Sequence, residues 1–157
     1  MRLKSATLIA AGLLAATATS AGAAGLPGLA DNVGSKQAKV RPGVILYTGD
    51  GSGFFAGNGQ PGKHPKVGKL HWTSWSGSSA SATGANWLNK CVPNCAKGTF
   101  AKFPVTLKAS RPRTVLGKKV FTRMQVTYTS TQPHGLGKSE TWKLKPAGHM
   151  YFWSFPA

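Results

Sequence analysis

From residue 70 onward, apolar and polar residues alternate with a period of two, and no segment carries a sustained 3.6-residue stripe. The cleanest run is Val120 to Thr129, with Thr122, Met124, Val126 and Tyr128 on one face and Phe121, Arg123, Gln125, Thr127 and Thr129 on the other. Phe103 to Ala109 sets Phe103, Val105 and Leu107 against Pro104, Thr106 and Lys108, a half-buried strand pattern. Pro104 has no N–H to give a ladder, which predicts a sheet edge or a strand start there. Arg111-Pro112-Arg113 breaks the alternation, and Thr131 to Gly137, with Pro133, Gly135 and Gly137, reads as a turn. Ser139 to Lys145 alternates again with Trp142 and Leu144 inward, and the aromatic stretch from His149 to Ala157 is predicted to be a last strand closing the sheet. Leu70 to Trp75 and Ser79 to Leu88 flank Ser76-Gly77-Ser78, the composition of a hairpin turn.

Upstream the strand signals are shorter. Val44 to Tyr47 and Phe54-Phe55-Ala56 read as brief strands, while Gly57 to Gly68, with four glycines and two prolines, reads as loop. Ala24 to Pro42 has neither period and is rich in small and polar residues, which predicts a flexible lead-in. Glycine and proline punctuate the remainder at strand-length intervals, so residues 43–157 are expected to form a single antiparallel all-β domain, a sandwich or a small barrel.

The first residues change the setting. Arg2 and Lys4 precede an apolar run from Ala6 to Ala16 and then small residues ending in Ala21-Gly22-Ala23, the three-part pattern of a secretory signal peptide over residues 1–23. The apolar run is too short to span a bilayer, and no later run of that kind is long enough. The expected product is secreted, extracellular or associated with the cell envelope, in an oxidising compartment where a disulfide persists. Removing Arg2 and Lys4 leaves 18 of the 20 basic residues against 3 acids, Asp31, Asp50 and Glu140, a net charge of +15. At most three cations can therefore have a carboxylate of their own, and the rest must be solvated or face an anion supplied from outside. Eight of them, Lys97, Lys102, Lys108, Arg111, Arg113, Lys118, Lys119 and Arg123, follow one another with no acid between, and they are the candidate anion-binding residues.

Catalytic chemistry is sparse by comparison. Cys91 and Cys95 are too far apart in an extended chain to bond, so they pair only across a reversal, which Pro93 and Asn94 supply in a turn of type I or type II. Closing so short a loop stabilises by about 2 kcal/mol in the chain-entropy picture. A thioredoxin-like site has two intervening residues and a βαβ setting, neither of which is present. His64, His71, His134 and His149 show no metal-ligand spacing, so no metal and no cofactor is expected. Gly51-x-Gly53-x-x-Ala56 mimics a dinucleotide fingerprint, but glycines and Pro61 stand where its helix should start and no acid follows at the ribose position. Gly57-x-x-x-x-Gly62-Lys63 mimics a phosphate loop, but His64-Pro65 replaces the hydroxyl residue and bars the helix. Asp50 with Glu140 is the one acid pair outside the lead-in that a hydrolase could use. The structural alternatives are an Asx turn for Asp50 and a cation-paired carboxylate for Glu140.

Several phrases resemble an uncharacterised family of small secreted actinobacterial proteins. They are the Ile45 to Gly53 segment, the Trp72-x-x-Trp75 hairpin, the Asn-x-Cys-x-Pro-Asn-Cys-Ala-x-Gly clip over Asn89 to Gly98, and the runs Phe103 to Leu107, Val120 to Met124 and Glu140 to Leu144. The resemblance implies secretion and a bacterial envelope setting and brings no catalytic residue with it. The expectation from all of this is a secreted, non-enzymatic basic β-domain whose partner is an anionic envelope polymer. An exported hydrolase built on Asp50 and Glu140 and a nucleic-acid-binding module are the alternatives, and the oligomeric state is left open.

Overall fold

In the computed structural model, residues 25–155 are described, and every regular element among them is a β-strand. In chain order these are β1 (Ile45–Leu46), β2 (Gly53–Ala56), β3 (Gly59–Gln60), β4 (Lys66–Val67), β5 (His71–Trp75), β6 (Ser79–Asn89), β7 (Phe100–Val115), β8 (Lys118–Tyr128), β9 (Ser139–Ala147) and β10 (Met150–Ser154). The expected signal peptide, residues 1–23, lies outside the described residues. No helix among those described is long and apolar enough to cross a membrane.

Seven strands run side by side in the order β1-β2-β6-β7-β8-β9-β10, all antiparallel, and β5 adds to β6 beside β2. The eight-stranded sheet curls into a half-barrel, and β3 with β4 forms a second, two-stranded sheet. The expected all-β antiparallel class is therefore the one observed. Strand β6 serves two partners on one edge: its first half pairs β5 (Trp75↔Ala80, His71↔Thr83) and its second half pairs β2 (Ala56↔Ala85, Phe54↔Trp87). The handover falls at Gly84, where a Cβ would run into the Ala56 carbonyl and Leu70, so only glycine fits.

Strand alternation sends one set of side chains inward. Ala80, Ala82, Val105, Leu107, Ala109, Val120, Met124, Val126, Tyr128, Trp142, Leu144, Tyr151 and Trp153 meet Leu29, Ile45, Tyr47 and Phe55 in the main core. A smaller core lies on the opposite face, where Phe54, Ala56, Ala85 and Trp87 pack with Phe100 and with Val67 of β4. The small hairpin thus covers the β2 end of the outward face and leaves the β7 to β9 end open. Gly57 to Gly68 is not all loop, because its glycines let β3 and β4 pair as closely as they do: a Cβ on Gly59 would strike the Lys66 carbonyl.

Three further local expectations change. Strand β7 runs straight through Arg111-Pro112-Arg113, because Ser110↔Arg123 and Pro112↔Phe121 keep one register on both sides of Arg111. Arg111 itself turns to φ 55° and its carbonyl accepts the Thr122 hydroxyl at 2.7 Å, so the break in pattern is a kink within a strand. Pro104 sits inside β7, yet its carbonyl accepts Thr129 N–H just beyond the end of β8. A residue's N and carbonyl face the same neighbour, so the missing N–H falls where the pairing has run out. Phe121 is buried despite its polar-face parity, with its ring 5.6 Å from that of Trp75.

The largest correction concerns the lead-in. Residues 25–42 pack on the domain: Leu29 is fully buried, Gly28 bridges Val120, Asn32 bridges Leu46 and Ser35 bridges Tyr151. Three indoles hold this segment by donating N–H bonds to its carbonyls, Trp75 to Pro27 (3.0 Å), Trp153 to Ala30 (3.0 Å) and Trp72 to Pro42 (2.8 Å). The described fold therefore begins well before residue 43. In the clip, Cys91 and Cys95 are disulfide-bonded as expected, and the Val92–Pro93 peptide is cis. Asn89 clamps it, accepting Cys91 N–H and donating to the Cys95 carbonyl.

Candidate functional site

Cross-strand register turns the scattered polar residues of β6 to β10 into ranks. On the outward face, Thr83, Thr106, Thr127 and Ser139 align across four strands. The next rank is Ser81, Lys108, Gln125 and Thr141, and the third is Ser79, Ser110, Arg123, Lys143 and Ser154. Neighbours within a rank lie about 5 Å apart and ranks about 7 Å apart, the two repeats of any sheet. Every position carries a hydroxyl, an amide or a cation, and all are exposed or half-buried. The hydroxyls and amides bond to one another, as in Gln125 to Ser139 and Thr127 with Ser139, both at 3.1 Å.

At the third rank the face becomes concave. A cavity of about 480 Å³ is lined by Arg111, Thr122, Arg123, Thr141, Lys143 and Leu144. The Arg111 kink aims that side chain into the cleft from β7, while Arg123 from β8 is steadied by donating to the Thr141 hydroxyl at 3.3 Å. Three cations and two hydroxyls converge there without a carboxylate. Left-handed backbone at a non-glycine residue such as Arg111 costs about 1–3 kcal/mol and clusters at functional positions.

All three acids are placed elsewhere. Asp31 pairs with Lys39 at 2.7 Å within the N-terminal segment. Asp50 is an Asx-turn residue, accepting Ser52 N–H at 3.0 Å and the Ser52 hydroxyl at 2.7 Å, and these bonds hold its carboxyl below the usual carboxylate range. Glu140 is buried on the inward face, and no cation among the described residues pairs with it. Its oxygens accept Gly137 N–H and the Trp142 indole N–H, so the expected cation pairing is not formed. Glu140 lines a cavity with Tyr47, Asn86, Leu88, Leu136, Trp142 and Phe155, and neither Asp50 nor any histidine does. The carboxylate pair a hydrolase would need is thus not assembled in that cavity, and no group of three or more metal-ligating side chains occurs among the described residues.

Of the eight candidate cations, the fold gathers Arg111 and Arg123 in the cleft and Lys108 beside it in the second rank. Arg113, Lys118 and Lys119 belong to the β7–β8 hairpin, where Lys118 donates to the Lys36 carbonyl. Lys102 reaches the Gly59 carbonyl at the covered end, and Lys97 lies in the clip loop. Sequence inspection misses Lys143 and Thr141, because they join the site only through the β8–β9 register. No family model, curated protein or solved structure matches the chain.

Proposed function

We propose that this is an exported, non-catalytic β-domain that binds anionic polymers of the cell envelope along the outward face of β6 to β9. The setting follows from the signal-peptide pattern and from the family the sequence resembles. One observation carries the binding: a face of hydroxyls and cations, free of carboxylates, that deepens into the Arg111–Arg123–Lys143 cleft. Lys108, Arg123 and Lys143 stand on three adjacent strands and so cover about 10 Å, more than one phosphate or uronate group and suited to successive charges on a chain. Two guanidinium groups supply forked N–H donors for phosphate or carboxylate oxygens. The ranked hydroxyls bond to the sugar or polyol units between charges.

The test compares residues 24–157 with poly(glycerol phosphate), a polyuronate and single-stranded DNA at one ionic strength. An envelope-type polymer should bind more tightly than DNA. The triple variant Arg111→Ala, Arg123→Ala, Lys143→Ala should lose at least tenfold in affinity and lower the logarithmic salt slope by about 2, three fewer charges being neutralised. The pair Lys97→Ala, Lys102→Ala should leave both almost unchanged. Equal binding by the triple variant overturns the site, and tighter binding of DNA overturns the polymer class.

A further inference from the structure

The inward face carries a second recess, and its chemistry is the reverse of the outward one. In a chain of net charge +17, the cavity beside Glu140 holds one charged side chain, and that one is an acid. The volume is about 310 Å³, at the small end of ligand sites. Its walls are aromatic and aliphatic. Tyr47, Trp142 and Phe155 stand pairwise nearly perpendicular, at 80°, 79° and 74°, with ring centroids 4.4–5.6 Å apart. Leu88 and Leu136 complete the lining.

Glu140 is 8% exposed, and both hydrogen bonds it accepts come from neutral donors and are long, 3.3 Å from Gly137 N–H and 3.2 Å from Trp142. A buried acid without a counter-charge is costly, and a cation brought by a ligand relieves that cost. The surrounding rings are tuned the same way. Trp142 donates its indole N–H to the carboxylate, and Tyr47 donates its hydroxyl to Asn86 at 2.6 Å. Both bonds push electron density into rings whose faces attract cations. Asn86 in turn donates to Tyr128 at 2.9 Å, so the polar groups at the cavity base are already engaged. Phe155 is 45% exposed and forms the outermost wall, leaving the recess open beside it.

We propose that this recess binds a small organic cation, a primary alkylammonium, with its charge on Glu140, its flank against Trp142, Tyr47 and Phe155, and its alkyl chain against Leu88 and Leu136. The two sites then lie on opposite faces of one sheet and take ligands of opposite charge. This inference does not depend on the polymer-binding face.

The probe is n-butylammonium, titrated into the protein and followed by indole fluorescence and calorimetry, with n-butanol and butyrate as the neutral and anionic molecules of matching shape. Ammonium should saturate one site at millimolar concentration or below and bind at least about tenfold more tightly than the alcohol, the worth of a charge-assisted hydrogen bond. Butyrate should not bind. Glu140→Gln should remove the preference for ammonium, and Phe155→Ala should weaken ammonium binding severalfold with Glu140 intact. Absence of saturable ammonium binding, equal binding of the alcohol, or an unchanged preference in a folded Glu140→Gln variant would each overturn the assignment. If Glu140→Gln fails to fold, the comparison of ammonium with alcohol on the unaltered protein decides alone.

Discussion

Trp153→Ala is expected to destabilise the protein by about 3–5 kcal/mol, the range for emptying a buried tryptophan site, and to loosen residues 27–39 as well as β10. Trp153 lies opposite Leu144 in the β9–β10 ladder, is 4% exposed, and donates its indole N–H to the Ala30 carbonyl. One side chain therefore closes the last strand and anchors the N-terminal segment. Trp153→Phe separates the two roles: it keeps most of the packing, removes the donor and should cost about 1–3 kcal/mol, the penalty for an orphaned buried carbonyl. Urea denaturation gives the stabilities, and amide hydrogen exchange reports the segment through Leu29 N–H and Lys39 N–H, which exchange bonds with each other's carbonyls. A loss below 1 kcal/mol with unchanged exchange at Leu29 would show that the segment is held by something else.

The second large effect is alkaline. The chain has three tyrosines, and all three titrate above the ordinary phenol range. Burial is the first cause in each, reinforced at Tyr47 by Tyr128 and Glu140 and at Tyr128 by Glu140, while the bonds to Asn86 act in the opposite direction. Tyr151 also donates its hydroxyl to the Val115 carbonyl at 2.8 Å, a bond the phenolate cannot make. Because the folded form holds these protons more tightly than the unfolded form, their contribution is complete below about pH 10 and declines as the pH rises further. Tyr47 alone should remove about 1.4 kcal/mol per pH unit above that point, with Tyr128 and Tyr151 adding in the same sense. Tyrosinate absorbance should therefore stay low in the folded protein and rise for all three residues together with the loss of near-ultraviolet circular dichroism. Ionisation of Tyr47 or Tyr128 near pH 10 with the fold intact would contradict the buried Tyr47–Asn86–Tyr128 chain.

Alternation made the strands after residue 70 legible, because each has one face on a core and the other outside. Within Val120 to Thr129 the alternation reads correctly from Arg123 onward, but Phe121 is buried against Trp75 of another strand and Thr122 lines the cleft beside Arg111 and Arg123. Residues 25–42 were opaque for a related reason. Their anchors are indole N–H groups from positions 30 to 123 residues away, and no local period records a carbonyl accepting a distant indole. The surroundings of Glu140 were partly readable: it shares strand parity with Trp142 and Leu144, which puts it inward, whereas its near neighbours Lys143 and Lys145 point the other way. Counting nearby cations along the chain hides that alternation. The same counting gathered eight basic residues over 97–123, but a binding face is defined across strands. Arg123 meets Lys143, 20 positions on, only because β8 and β9 pair in that register.

The most direct test of the proposed polymer-binding face is the change in backbone and side-chain NMR resonances of residues 24–157 as poly(glycerol phosphate) is added. Shifts should be confined to the outward positions of β6 to β9 and be largest at Arg111, Arg123, Thr141 and Lys143. Shifts concentrated at Lys97 in the clip or at Lys118 and Lys119 in the β7–β8 hairpin, with the cleft silent, would contradict the account.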